Sequence, residues 1–431
     1  MKKYFSLIII IFVSSNINAQ NAINNLTIDS AIKLALTNQP LIKQAEDEIN
    51  ITTAGIHEQE SYYSPIVSAN VTDYLIGPIP QVTFGAEAFK FLPVNNFDAK
   101  VQVGYLLYDF NRRDAMLDVL KSYKITAEEK VNIVKNELAY KTVQAFYAIL
   151  LLEKSKSVKE DQIETLKKHI DDAQKRVDSG VAIDLDVLTT KVRVASAENQ
   201  LIDINKNLDK AKVALRSLLG LNSNERINLT GDFDSTVNIN PETELLENAF
   251  TNREEIKIAQ LNEKTNELQK RTAELSEMPA LNLFGSYGLK NGFEPNLDAY
   301  RGNWVVGAEV SVPIFNGRKK DALIESAEAK MKVANDNIES LKRKIKMEVE
   351  QSVVELKSSA EKLNAVKIQI DQAEQALNKA KIQYDNGVIK NLDLLDAETS
   401  LTETKLQYFS AVYQITVNEY FLKQSIGEKI W

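Results

Sequence analysis

Apolar and polar residues alternate along this chain with a period that changes in a fixed order. A helical pattern opens near Asp29, where Asp29 or Ser30 is placed to cap a helix N-terminus; Pro40 interrupts the pattern and Pro65 closes it. A strict alternation follows. Val67, Ala69 and Val71 lie against Ser68, Asn70 and Thr72, and after a Gly/Pro/Asn-rich loop from Gly77 to Asn96, Val101, Val103, Tyr105 and Leu107 share one parity. The chain then runs from Arg112 to Val177 without a proline or glycine, which predicts a helix of about 100 Å at about 1.5 Å per residue. Ordinary globular helices are several times shorter. Near its far end Ile163, Leu166, Ile170, Ala173 and Val177 recur in heptad spacing, the pattern of coiled-coil packing. Gly180 marks a turn, and a return helix is expected from Asp184 to Leu219.

The same order is then written again. Val177-Asp178-Ser179-Gly180-Val181 and Tyr384-Asp385-Asn386-Gly387-Val388 are 207 residues apart, and the same offset pairs Asp186-Val187-Leu188 with Asp393-Leu394-Leu395 and Tyr108 with Phe315. Upstream the offset becomes 214, pairing Thr37-Asn38 with Thr251-Asn252 and Pro65 with Pro279. An internal duplication with a longer loop in the first copy accounts for both offsets. The expected organisation is a signal peptide at 1–19 and a first repeat at 20–220, with strands near 65–76 and 98–110, a long helix at 112–177 and a return helix at 184–219. A linker at 221–241 leads to a second repeat at 242–431, with strands near 279–289 and 303–313, a long helix at 318–386 and a return helix at 391–425. Each outgoing helix is nearly twice its return helix, so the segments Asp29–Tyr63 and Glu242–Glu277 are the right size to complete the return length.

Composition narrows the function classes. Lys2, Lys3 and the apolar run from Phe5 to Val13, followed by small and polar residues to Ala19, read as a secretory signal with cleavage before Gln20. Its loss moves the formal charge from -8 to -10, since Lys2 and Lys3 are its only charges. An acidic, exported chain is a poor nucleic-acid binder, so none is expected as a partner. With no cysteine and only His57 and His169, disulfides, thiolate metal sites and a local histidine ligand pair are excluded. No catalytic spacing stands out, and neither an enzyme nor a cofactor is expected. Beyond the signal no apolar run reaches the roughly eighteen residues of a membrane-spanning helix. The remaining route into lipid is a β-barrel. Four strands are too few for one, so a membrane reading requires chains to pool them, and three chains would supply twelve. The alternative is a periplasmic or surface coiled-coil scaffold that never inserts.

Order, duplication and spacing together resemble the TolC-like outer-membrane efflux proteins along nearly the whole mature length. Leu26-Thr27-Ile28-Asp29-Ser30-Ala31-Ile32 through Pro40 is similar to that family's opening motif. Ser311-Val312-Pro313-Ile314-Phe315-Asn316-Gly317-Arg318 is similar to its strand-to-helix corner, with Pro313 and Gly317 in place; the first copy, Leu107-Tyr108-Asp109-Phe110-Asn111-Arg112-Arg113, lacks both the proline and the glycine. The stretches after Gly180 and Gly387 resemble the two helix-tip motifs.

The resemblance implies a homotrimer in which a twelve-stranded membrane β-barrel, four strands per chain, is continuous with a long α-helical barrel. It implies location in the outer membrane, contact with its lipid and a large periplasmic portion. It also implies a passive channel for efflux or type I secretion, working with a periplasmic membrane-fusion adaptor and an inner-membrane pump of the resistance-nodulation-division or ABC type. By motif position Gly180 and Gly387 face the adaptor, Asp393 and Asp396 form a gate constriction, and Asp186 and Tyr384 link neighbouring helices of the closed gate. Asp393 and Asp396 share a helix face, so a trimer would gather six carboxylates around one opening. Read without the family, Asp393 is equally a helix cap and Tyr384 equally a core residue of its heptad.

Overall fold

A computed structural model of the chain describes residues 23–85, 87–223, 225–233 and 240–431. The segment 1–19 and part of 221–241 lie outside them. In chain order the elements are β1 (Ile23–Leu26), α1 (Ile28–Asn38), α2 (Pro40–Ser61), β2 (Ile66–Leu75), β3 (Gln81–Phe84), β4 (Glu87–Lys90), β5 (Asn95–Tyr108), α3 (Arg112–Asp178) and α4 (Asp184–Leu218). The second half holds β6 (Ile227–Leu229), α5 (Glu242–Asn252), α6 (Glu254–Glu274), β7 (Ala280–Lys290), β8 (Arg301–Ser311), α7 (Lys319–Asp385) and α8 (Asn391–Ser425).

The two proline- and glycine-free stretches fold as helices of 67 residues each, α3 and α7. Each turns back at its glycine into a helix of 35 residues, so α3/α4 and α7/α8 are antiparallel hairpins packed along their lengths. Their cores obey the duplication: Leu138, Phe146 and Ile149 of α3 are buried, and so are Ile345, Val353 and Leu356 of α7 at the same offset of 207. Ala31 and Ala35 of α1 likewise match Leu245 and Ala249 of α5 at the offset of 214. The first of these cores also takes in Val417 and Ile430 from the second half.

The short helices break at equivalent points. Thr27, one turn-boundary earlier than Asp29 or Ser30, caps α1, its hydroxyl accepting from Ser30 N at 3.3 Å. Gln39 then takes an extended φ/ψ of -72°/126° ahead of Pro40, as a residue before proline must. The offset of 214 places Arg253 at the same point of the second copy, and it adopts -64°/123° with no proline after it. The predicted single helix from Glu242 to Glu277 is therefore two helices and a short 3-10 turn. Both corners cap a return helix. Asn38 Nδ2 donates to Leu219 O at 3.0 Å and Gln39 Nε2 to Leu218 O at 2.8 Å, whereas Arg253 Nη1 donates to Ser425 O at 3.4 Å and pairs with Glu348. Polar side chains thereby satisfy carbonyls that a helix end leaves without partners.

The strands form an antiparallel sheet in the order β2-β5-β7-β8, joined across the duplication by β5 and β7. Register aligns Ala69, Val101, Tyr287 and Trp304 in one row and Val67, Val103, Gly285 and Val306 in the next. One face is thus apolar, and it is exposed: Trp304 is 72% and Val306 76% accessible. Within the long loop of the first copy, β3 and β4 form a separate hairpin that alternation did not predict.

This architecture corrects the expected fold class. The four-stranded sheet is open, with β2 and β8 as its unpaired edges, so the chain forms no closed membrane barrel. Its helices pack as two hairpins with short helices alongside, and form no α-helical barrel. No described helix is long and apolar enough to cross a membrane. The inserted channel and the outer-membrane-embedded location both rested on a closed barrel, and the single chain supplies only an open four-stranded sheet. The difference is one of closure: alternation specifies which face of a strand is apolar, but not what pairs with an edge.

Candidate functional site at the helical tips

The residues singled out by motif gather at the two glycine turns, apart from Pro313 and Gly317, which lie at the opposite, strand-to-helix corner. At that corner Gly317 has φ +70° and Arg318 φ +63°, and in the first copy Phe110 and Asn111 take the same two left-handed conformations, at +55° and +65°. An L-residue in that region is strained. Buried Asp109 supports the strained copy, accepting from Arg113 N at 3.0 Å and pairing with Arg113 Nε at 3.3 Å.

At the tips Gly180 and Gly387 have φ +76° and +71°. Val181 N donates to Arg176 O and Val388 N to Gln383 O, both at 2.8 Å, while each glycine N–H reaches the carbonyl three residues back. These are Schellman endings, in which a glycine accepts the left-handed conformation that closes the helix. Four residues after each glycine the return helices begin, with Val181, Ile183, Leu185 and Val388 exposed between and just beyond the turns.

Asp393 and Asp396 do lie on one side of α8, but each has a local partner. Asp393 Oδ2 accepts from Lys390 N at 3.0 Å, satisfying a free N–H at the start of α8. Asp396 pairs with Arg193 of α4 at 2.9 Å, an exposed bridge between the two hairpins. Tyr384 is buried, 8% exposed, in a cluster with Leu377, Ala380 and Leu394. The Arg176 guanidinium stacks over its ring at 4.5 Å and also bonds Asp385 at 2.9 Å. Its hydroxyl is buried without a hydrogen-bond partner, so Tyr384 and Asp186 make no hydrogen bond. Burial, with Asp186 and Asp385 adding to it against Arg176, raises the pKa of the phenol.

A second group of tip residues escaped the sequence reading. His169 and Asn391, 222 positions apart, meet at 2.6 Å in the interior. Asn391 Nδ2 also donates to Asp186 O at 3.1 Å and Thr190 Oγ1 at 3.3 Å, joining α3, α4 and α8. Heptad counting placed Ile170 in the seam, where it packs half-buried against the cluster of Ile163 and Leu166; His169, three from Leu166 and four from Ala173, is buried beside it. The bond to Asn391 accounts for the burial of His169.

Comparison with known proteins places this arrangement. A family model described as Outer membrane efflux protein matches residues 31–221 and 245–428. The chain is 24% identical to outer membrane protein TolC of Salmonella enteritidis, over 72% of this chain and 67% of that one. It is 23% identical to the cobalt-zinc-cadmium resistance protein CzcC of Cupriavidus metallidurans, over 92% and 88%. A crystal structure of CusC shares the fold, with a TM-score of 0.79 at 18% identity, covering 93% of this chain and 92% of that one.

Proposed function

This chain belongs to the outer membrane efflux protein family, and we propose that it serves there as an exported coiled-coil scaffold that does not insert into lipid. It is not an enzyme, its family being one of non-catalytic transport proteins. At the level of the family, the likeness to TolC implicates membrane-fusion adaptors and inner-membrane pumps as partners. The observation that carries the scaffold reading is the division of the molecule. The large buried cores lie in the helical hairpins, while the sheet is a small open appendage.

In this reading the two hairpins form a stiff arm. The glycine turns at Gly180 and Gly387, with exposed Val181 and Val388, present its end to an adaptor, which in turn engages a pump. Asp396 and Arg193 hold the hairpins in register, Asp393 caps α8, and Tyr384 is a packing residue beside Asp186. Copies of the chain meet through the exposed apolar row of the sheet, and a homotrimer is the assembly proposed. The duplicated repeats, 20–220 and 242–431, act as the two hairpin-bearing halves of one arm.

Cell fractionation tests this. A scaffold is released by osmotic shock without detergent and sediments as a discrete oligomer. Retention in the outer membrane until detergent is added, with stable conductance of the extracted protein in a planar bilayer, would overturn the reading.

A further inference from the structure

At the break between α5 and α6 the two copies of the duplication differ in chemistry. The offset of 214 sets Arg253, Glu254 and Glu255 against Gln39, Pro40 and Leu41, which carry no charge. Gln39 and Arg253 both cap the end of a return helix. A glycine of positive φ, Gly220 or Gly427, packs against each corner so closely that a Cβ would meet it at 2.7 Å. The uncharged copy makes the same turn, so the corner does not require Glu254 or Glu255 for its shape.

Beside the charged corner lies a cleft of about 250 Å³, walled by α3, α7 and the end of α8. Four carboxylates line it, Glu137, Glu254, Glu255 and Glu348, against two cations, Arg253 and Lys344. Arg253 is shared, pairing with Glu255 at 2.7 Å and also with Glu348. Glu137 pairs with Lys141 at 3.6 Å, and exposed Lys344 helps to hold the charge of Glu255. Glu254 is 4% exposed and has no ion pair among the described residues. Burial raises its pKa; its own backbone N–H and Lys257, one turn along α6, counter that, while Glu255 and Glu129 add to it. On the α3 wall Asn136 is 6% exposed. Its Nδ2 donates to Glu428 O at 3.4 Å, and its Oδ1, shut off from solvent, has no partner.

Both groups lack a donor, and Glu254 lacks a positive charge as well. An ordered water can serve the amide oxygen, but it brings no charge to a buried carboxylate. A proton on Glu254 neutralises that group and leaves Asn136 Oδ1 as it was. Among the described residues no three acidic or histidine side chains converge as a metal ion requires. We propose that the cleft binds a small organic ammonium ion, its N–H groups donating to Glu254 and, directly or through one water, to Asn136 Oδ1. Its hydrocarbon lies against Ile133 and Phe421, the apolar part of the lining; Phe421 is backed by Tyr140 at a centroid distance of 5.9 Å. Arg253 stays on Glu255, Glu348 and the end of α8, so the corner keeps its cap with or without the guest. The site lies within one chain and does not rest on the scaffold reading.

The probe is n-butylammonium chloride, with potassium chloride and tetramethylammonium chloride as controls at equal ionic strength; tetramethylammonium carries the charge without an N–H. Titration calorimetry on the full chain should show saturable heat with n-butylammonium alone, and the thermal midpoint should rise with its concentration. Glu254→Gln keeps the shape, is expected to fold with a raised midpoint at neutral pH, and should lose the binding. Asn136→Leu removes the second acceptor and should weaken it about tenfold, the worth of one charge-assisted hydrogen bond. Since the amine competes with a proton for Glu254, binding to the parent should weaken as pH falls through the raised pKa of that group. Equal heats from all three salts, no saturable heat with n-butylammonium, or binding that survives in Glu254→Gln would each overturn the site.

Discussion

Gly317 and Phe110 occupy the same left-handed position in the two strand-to-helix corners. A Cβ at Gly317 would meet nothing within 4 Å, so Gly317→Ala is resisted by backbone conformation alone. It should cost about 1 kcal/mol, read as a lowered midpoint in denaturant unfolding. The first copy holds the conformation with a non-glycine residue, and the buried Asp109–Arg113 pair is what supports it. Asp109→Ala removes that support but leaves Arg113 bonded to Tyr62 O and stacked on the Tyr63 ring, at a cost of about 2 kcal/mol. The two glycine turns follow the logic of Gly317: Gly387→Ala, again with open space around the added carbon, should cost about 1 kcal/mol and fray the tip of α7 in hydrogen exchange.

Between elements, the corner at Arg253 sets two adjacent carboxylates at odds. Glu254 is buried, and burial raises its pKa. Its folded value lies above the unfolded one, so its stabilising share is complete below about pH 4.5 and is lost as pH rises. Glu255 is also penalised by burial, but the hydrogen bond and charge of Arg253 outweigh that and hold it below the ordinary carboxylate value. Its share is present above the unfolded value and is lost as pH falls. Glu254→Gln should therefore raise the thermal midpoint at neutral pH, and Glu255→Gln should lower it, with both differences shrinking in acid. A second tie between elements is the buried contact of Ser122 Oγ on α3 with Thr265 Oγ1 on α6, at 2.6 Å. Ser122→Ala alone removes this contact while Thr265 Oγ1 keeps its bond to Leu261 O and should cost about 1 kcal/mol, whereas Ser122→Ala with Thr265→Val removes both polar groups and should cost less than the two changes separately. A double-mutant cycle of unfolding free energies measures the difference.

At the scale of the molecule, neither half is self-contained. β5 pairs with β7 across the duplication, and Val417 and Ile430 complete the core around Phe146 and Leu215. A fragment ending near residue 220 should consequently keep helical circular dichroism but lose the cooperative melt of the whole chain. Several features of this architecture were written locally and were readable in order: the duplication, the two helices free of proline and glycine, the glycine turns, and the parity that makes one sheet face apolar. Each depends on residues a few positions apart, and spacing alone specifies it. Asp393 was legible as a cap for the same reason, since its partner is three residues away. Other features depend on groups brought together from far along the chain. Arg193 meets Asp396, His169 enters beside Ile170 to reach Asn391, and Arg253 holds its corner without the proline that follows Gln39 in the first copy. The sheet belongs with them. Alternation determined which residues face which way, but whether its edges close depends on what lies beside β2 and β8, and only the assembled backbone decided that in this chain they stay open.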